Sequence, residues 1–565
     1  MQKLTDIYNF NASTDQDERA RLYLTPVAVK LTRGNVSGAE ILLKDKPVQV
    51  LLGKSEACVL KNEPGAEKAA VLLDFGRELH GNIRLTVSTI KSASERAKMT
   101  IRFGESVMEA LAPIGHKNAT NDHAVRDHIY DLGQWGTVET NESGFRFVYI
   151  ELEEEDAIVN IPAIHMCFLY RDIPYLGSFE CSDPLLEKIW QTAAYTVHLN
   201  MQNYLWDGIK RDRLVWMGDM HTEVLTIQSV FGANSIVPKS LDFLRDGTPP
   251  TVWMNGISSY SLWWIMVQAD WYKYTGDMEY LAQQRGYLKA LMENVVALVD
   301  ENGSEQMPEM RFIDWPNHAD PVAEHAGLQG ILKLAIEAGA DMLKALGEDE
   351  QAAASYAVAG RMNKHVPECG KSKQAAAFLS LSGIADAKKI NDEVLTPGGA
   401  HGYSTFLGYY TMAAKALAGD WQGAIDDMRA YWGGMLDMGA TTFWEDFDLN
   451  WMENACRIDE IVPEGKVDVH GDWGAYCYVM FRHSLCHGWS SGPVPYAARH
   501  ILGITILEPG CKKIAIEPHL GDLAYARGSY PTPLGLVTVS HEKRPDGSIA
   551  TEYTAPEGME VVVRG

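Results

Sequence analysis

A chain of 565 residues is longer than one hydrophobic core fills, so two to four domains are expected. Its 46% hydrophobic and 22% charged residues exclude a disordered or fibrous chain. With 75 acidic against 50 basic residues, a net charge of −25 and no basic run beyond a pair such as Lys512 and Lys513, the chain would repel a phosphate backbone, which excludes nucleic acid as a partner.

Met1 to Arg21 is polar and lacks the apolar core of a signal peptide, and no apolar run reaches the roughly 18 residues of a membrane span. A soluble chain is expected, cytoplasmic, or periplasmic or secreted if a leader was removed. From about 25 to 175, short β-branched runs alternate with Gly, Asn and Pro: Val27–Leu31, Val48–Leu52, Ile83–Val87, Met99–Phe103 and Phe145–Leu152. Strands this short and closely spaced predict a β-sandwich. Ser182-Asp183-Pro184 then reads as a helix start, followed by Leu186, Ile189, Trp190, Ala193 and Val197 at helical spacing. Further apolar faces mark 280–299, 326–346, 374–381, 405–417 and 421–436, joined by loops rich in Gly, Pro, Asp and Trp. Such helices with long aromatic connections suit a helical barrel whose loops build a pocket at one rim. No repeat is legible. After Gly503 strands return at 505–507, 513–516, 535–540, 549–553 and 561–563, with Asp546-Gly547 as a hairpin signal. The expected division is an N-terminal β-sandwich over 1–175, a helical barrel over 176–503 and a small C-terminal β-domain over 504–565.

The eight cysteines (58, 167, 181, 369, 456, 477, 486, 511) are scattered, without a CxxC pair, and read as buried thiols. The densest chemical signal is Trp206 to Glu223. Asp207, Asp212 and Asp219 alternate there with Lys210, Arg211 and Arg213, and Trp206 and Trp216 flank them. Cleaving a glycosidic bond takes one carboxyl kept protonated to assist the leaving oxygen and a second, ionised, to activate water or attack the sugar. Neighbouring arginines hold a carboxylate ionised, while crowding or burial keeps another protonated. The plainer alternative is a solvated turn into a helix starting near Asp219, with Asp219 and Glu223 favouring its N-terminus. The second signal is Gly439 to Asp448, where Glu445 follows Trp444. Asp446-x-Asp448-x-Asn450 lacks the Gly and Glu of a calcium loop, so no metal is expected. Asp314-Trp315, Trp253 to Gly256 and His487 to Gly492 add loop aromatics and a histidine to the pocket candidates.

Together these segments resemble the α-L-rhamnosidase family of inverting glycosidases. The resemblance rests on Asp74 to Leu79, Phe103 to Ser106, Ser143 to Phe147, Asp207…Arg211-Asp212…Trp216…Gly218-Asp219, Asp314-Trp315 and Ala440-Thr441-Thr442…Trp444-Glu445. It implies a multidomain α and β fold, an (α/α)6 barrel flanked by an N-terminal β-sandwich and a small C-terminal β-domain. It also implies hydrolysis of a terminal α-L-rhamnose or related sugar by single displacement, with Glu445 as general base and no cofactor. Many members read Arg-Asp-Glu-Arg-Leu where this chain reads Arg211-Asp212-Arg213-Leu214, one acid shorter. The proton donor is accordingly Asp212, or else Asp219 or Asp207. Arg211, Asp207, Asp219, Trp216, Asp314, Trp315, Trp444 and His487 would hold the sugar. The expected partner is a carbohydrate, with no nucleic acid and no membrane, and nothing in the sequence marks an oligomeric state. The competing expectations are a polysaccharide lyase on the same toroid, drawing on His487, Arg211 and Tyr496, and a glycan-binding relative without catalysis.

Overall fold

The computed structural model describes Ile7, residues 16–53 and residues 55–564; the rest of the polar segment before residue 16 lies outside the described residues. Two facing sheets make the N-terminal sandwich. The larger, eight-stranded sheet is built on Ala70–Val87, which pairs with Ser143–Leu152, Ala163–Tyr170 and Ala28–Arg33, and the smaller has four strands. Alternate side chains of both sheets meet in one apolar core in which Phe103 and Phe145 stack at 4.1 Å. Val48–Leu52 is not a strand. Leu51 and Leu52 are 73% and 76% exposed, so that apolar run has no sheet face to cover and stays irregular.

The helical part opens as its sequence predicts. Asp183 caps the helix Pro184–Asn200 by accepting the Leu185 N–H at 2.9 Å, with Pro184 in the first turn. Six inner helices pack each on the next in a closed ring: Met220–Val230, Ser258–Thr275, Pro321–Ala345, Lys373–Leu381, Gly408–Leu417 and Pro493–Tyr496. Outside them lie Pro184–Asn200, Ile236–Gly247, Met278–Val296, Asp349–Met362 and Trp421–Asp437. This is an (α/α)6 barrel, closed although the sequence shows no repeat. Ser258–Thr275 is buried on every side over its first eleven residues, as a helix inside a ring must be.

Strands return after Gly503. Ser178–Cys181 pairs with Tyr525–Thr532, so the segment before the barrel adds the edge strand to a sheet completed by Gly535–Lys543 and Ile549–Thr554. Gly547, at φ 85°, makes the hairpin turn between the last two. All eight cysteines are free and seven are buried. Among the described residues no helix is long and apolar enough to cross a membrane.

Candidate active site

Every segment with a chemical signal runs into the N-terminus of an inner helix: 206–219 before Met220, 306–320 before Pro321, and 439–448 with 483–492 before Pro493. They therefore share one rim of the barrel. Asp207 is fixed by its backbone, which pairs with Leu214 and accepts the Gly488 N–H at 2.8 Å, while its Oδ1 accepts the Leu214 N–H at 2.9 Å. Gly488 has to be glycine. A Cβ there would lie 1.6 Å from Glu223 Oε1. Asp212 and Arg213 make the intervening turn at φ 54° and 55°, in the left-handed region.

The carboxyls converge on one imidazole. His487 Nε2 lies 3.7 Å from Asp207 Oδ2, 3.7 Å from Asp219 Oδ1 and 3.8 Å from Glu445 Oε1. Burial and the nearby Arg211 depress the His487 pKa, so the ring is neutral at pH 7. Burial pushes Asp207 and Asp219 well above the usual carboxylate range, and Asp212 raises both further. Asp219 makes no helix-cap hydrogen bond. It accepts from the Tyr260 hydroxyl at 3.2 Å, so the reading as a plain helix-terminal acid does not hold. Glu445 is also raised by burial, but Arg211 and the Ser484 N–H, which donates to Oε2 at 2.9 Å, both favour its charged form. Arg211 ion-pairs with Glu445 through Nη2 and with Asp212 through Nη1, the latter at 3.1 Å. Two carboxylates thus stand apart on the two arms of one guanidinium.

The aromatic residues split into two groups. Trp315 stacks on Tyr476 at 5.8 Å and meets Tyr478, which meets Trp489, which lies 4.2 Å from His487. Trp216 meets Tyr260 edge-on at 6.0 Å. Trp444 differs. It is fully buried edge-on against Phe447 and His483, so it has no face for a sugar and packs beneath Glu445 instead. Asp314 has both oxygens engaged, Oδ1 by Asn317 and Oδ2 by the Ser404 hydroxyl at 2.8 Å, and braces its loop.

Sequence reasoning gave no role to Lys210 or to the acids of the sandwich. Lys210 Nζ lies 3.0 Å from Glu105, 3.1 Å from Glu109, 2.9 Å from the Phe481 carbonyl and 2.5 Å from the His483 carbonyl. Glu105 also accepts the Leu485 N–H at 2.6 Å, next to the Ser484 that holds Glu445. Glu105, Glu109 and His470 lie close enough together to hold a metal ion, and the Lys210 ammonium supplies the positive charge among them. Joining sandwich to rim is the physical role of the fragment Phe103 to Ser106. Gly144 in the third fragment does the same, since a Cβ there would come within 2.9 Å of Ile209 and Lys210 atoms. His123, also from the sandwich, brings Nδ1 within 3.3 Å of Asp212.

Residues 174–366 match a family model described as the bacterial α-L-rhamnosidase six-hairpin glycosidase domain, and residues 503–564 match the bacterial α-L-rhamnosidase C-terminal domain. Over these two stretches the chain is similar to the bacterial α-L-rhamnosidases. An α-L-rhamnosidase of Streptomyces avermitilis is 24% identical over 96% of this chain and 52% of its own length. One of Alteromonas sp. is 25% identical over 88% of this chain and 57% of its own. The chain thus spans little more than half of these curated rhamnosidases. The crystal structure of a GH78 family rhamnosidase of Bacillus sp. GL1 superposes with a TM-score of 0.74 at 22% identity, covering 93% of this chain and 55% of that one.

The rim makes one titration separable. Burial lifts Asp446 to about 7, with Glu445 and Asp314 adding to the shift. A carboxyl raised in the folded state binds protons more tightly there than in the unfolded chain. Its stabilising share is therefore complete at low pH and is lost as pH rises from about 4 toward 7. The buried histidines 470, 483 and 487 act oppositely, losing stability as pH falls below their ordinary pKa. Asp446→Asn removes only the first contribution. Thermal unfolding should show its Tm, relative to wild type, rising between pH 5 and pH 8, and a constant offset would contradict the assignment.

Proposed function

We propose that the chain hydrolyses glycosides bearing a terminal α-L-rhamnose, or a closely related sugar, by single displacement with inversion. The observation that carries this reading is Glu445, a buried carboxylate paired to Arg211 that meets Asp207 and Asp219 at Nε2 of a neutral His487. The matched domain descriptions and the relatives' names supply the sugar.

In this mechanism Glu445 removes a proton from water as it attacks the anomeric carbon. A carboxyl on the other side protonates the departing oxygen, and space for the water requires roughly 6.5–9.5 Å between the two groups. Asp212 is proposed as donor because it keeps 17% of its side chain exposed, against 3% for Asp207 and Asp219, and so is the one of the three that can reach the departing oxygen and take its proton back from solvent. Asp207 and Asp219, protonated through burial, would donate hydrogen bonds to sugar hydroxyls, and His487 would orient them. Trp315 and Trp216 would border the sugar.

A donor matters least when the leaving group is already acidic. Asp212→Asn should therefore lose at least about a hundredfold more kcat on methyl α-L-rhamnoside than on the 4-nitrophenyl glycoside. That pattern in Asp219→Asn or Asp207→Asn instead would move the donor there. On a rhamnose-bearing polysaccharide the expected product is free rhamnose. An unsaturated, ultraviolet-absorbing product without rhamnose would overturn the hydrolase reading in favour of a lyase.

A further inference from the structure

The barrel has a cavity at the end away from the rim. It enters the bore from the C-terminal ends of the inner helices, beneath the C-terminal β-domain, and its volume is about 670 Å³, within the usual range for a small-molecule site. Its inner wall is Trp263, Phe378 and Tyr410, packed on one another at 5.0–6.0 Å between ring centres. The rings of Phe406 and Trp489, stacked at 4.7 Å, lie between this wall and His487.

The polar groups in the bore have no part in the chemistry proposed for the rim. Asp270 Oδ2 pairs with His221 Nε2 at 2.8 Å, and the other ring nitrogen of His221 lies 2.6 Å from the Tyr410 hydroxyl. Arg499 Nη1 donates to the Tyr409 hydroxyl at 3.0 Å, and its Nη2 stands 3.8 Å from Asp270 Oδ1. Burial works to raise Asp270, but His221, Arg499 and Lys273 outweigh it and hold the carboxyl down at about 2, so it is ionised. An ion pair enclosed this deeply costs stability unless its charges stay hydrated or find polar partners. These do stay accessible: 37% of the Arg499 side chain and 27% of that of Asp270 are exposed, both into the cavity.

We infer that this rear bore is a binding site for a neutral saccharide of one or two rings, distinct from the Glu445 site. An acceptor, Asp270 Oδ1, stands beside guanidinium donors, matching two vicinal hydroxyls, one donating and one accepting. Flat rings beside that polar edge suit the C–H faces of a pyranose. Asp270 and Glu517 offset Arg499 and Lys273 around the lining, so their charges cancel and leave little to attract an ion. The site stands whether or not Glu445 cleaves rhamnosides.

Equilibrium dialysis of the full chain against radiolabelled L-rhamnose, D-mannose and cellobiose in the millimolar range tests this. At least one of the three should bind to wild type and bind at least about tenfold more weakly to Arg499→Gln, the cost of losing a charged hydrogen-bond donor. Ala413→Phe, which fills the cavity from the helix Gly408–Leu417, should weaken the same sugar equally while hydrolysis of 4-nitrophenyl α-L-rhamnoside is unchanged. Full binding retained by both variants, or no sugar bound by wild type, would overturn the proposal. Wild type that binds sugar in the rear bore but does not hydrolyse the rhamnoside would count against the Glu445 reading alone.

Discussion

Glu445→Gln should lower kcat on 4-nitrophenyl α-L-rhamnoside by at least about a thousandfold, because an amide of the same shape cannot take a proton from water. The substitution is otherwise mild. The amide oxygen can still accept from the Ser484 N–H, and Arg211 retains Asp212 on its other arm. Sugar binding should therefore change little, and the loss should fall on kcat and not on KM. Asp446, next along the chain, controls for charge: its side chain takes the Phe447 N–H, and Asp446→Asn should leave kcat within about tenfold of wild type. Glu445→Gln with near-normal turnover would remove the general base from the account.

The second large effect is on stability. Lys210→Met should destabilise the protein by about 3–5 kcal/mol, the usual cost of deleting one partner from a buried ion pair. Methionine fills the lysine stem but leaves Glu105 and Glu109, both fully buried, without their shared ammonium, and leaves the Phe481 carbonyl without a donor, while the His483 carbonyl keeps only His470 Nε2 at 2.9 Å. Burial already raises the Glu105 pKa, with Lys210 pulling it down. In the variant that carboxyl should take up a proton, and adding Glu105→Gln should recover part of the loss. Activity should fall as well, since Lys210 precedes Arg211 and Glu105 fixes the Leu485 N–H beside Ser484. Denaturant unfolding measures the first effect, and a variant within about 0.5 kcal/mol of wild type would contradict the strut role.

Much of the rim was legible in the sequence, for local reasons. Asp207, Arg211, Asp212, Asp219, Glu445 and His487 stand in short segments where acids, arginines and tryptophans crowd together, and the structure brings all six together. Their meeting at His487 Nε2 was not legible, because it depends on which inner helix each loop enters. Trp444 shows the limit of composition: a tryptophan beside a carboxylate reads as a sugar platform, yet this ring is core. Helices 236–247, 258–275 and 349–362 gave no clear sequence signal. For 258–275 the cause is physical, since a helix buried all round has no polar face to set the period. Val48–Leu52 misled in the other direction, being apolar and β-branched without a sheet to join. The role of the sandwich was hidden for a third reason. Glu105, Glu109 and His123 act on Lys210 and Asp212 from about a hundred residues away, a separation that no local pattern records.

In the proposed mechanism water, activated by Glu445, replaces the aglycone on the face opposite the departing oxygen. Proton NMR of the first minutes of methyl α-L-rhamnoside hydrolysis tests it most directly, before the released sugar mutarotates. β-L-Rhamnose should be the first-formed product, with the α anomer growing in afterwards. The α anomer appearing first would mean retention, and would contradict the assignment of Glu445 as a base acting on water.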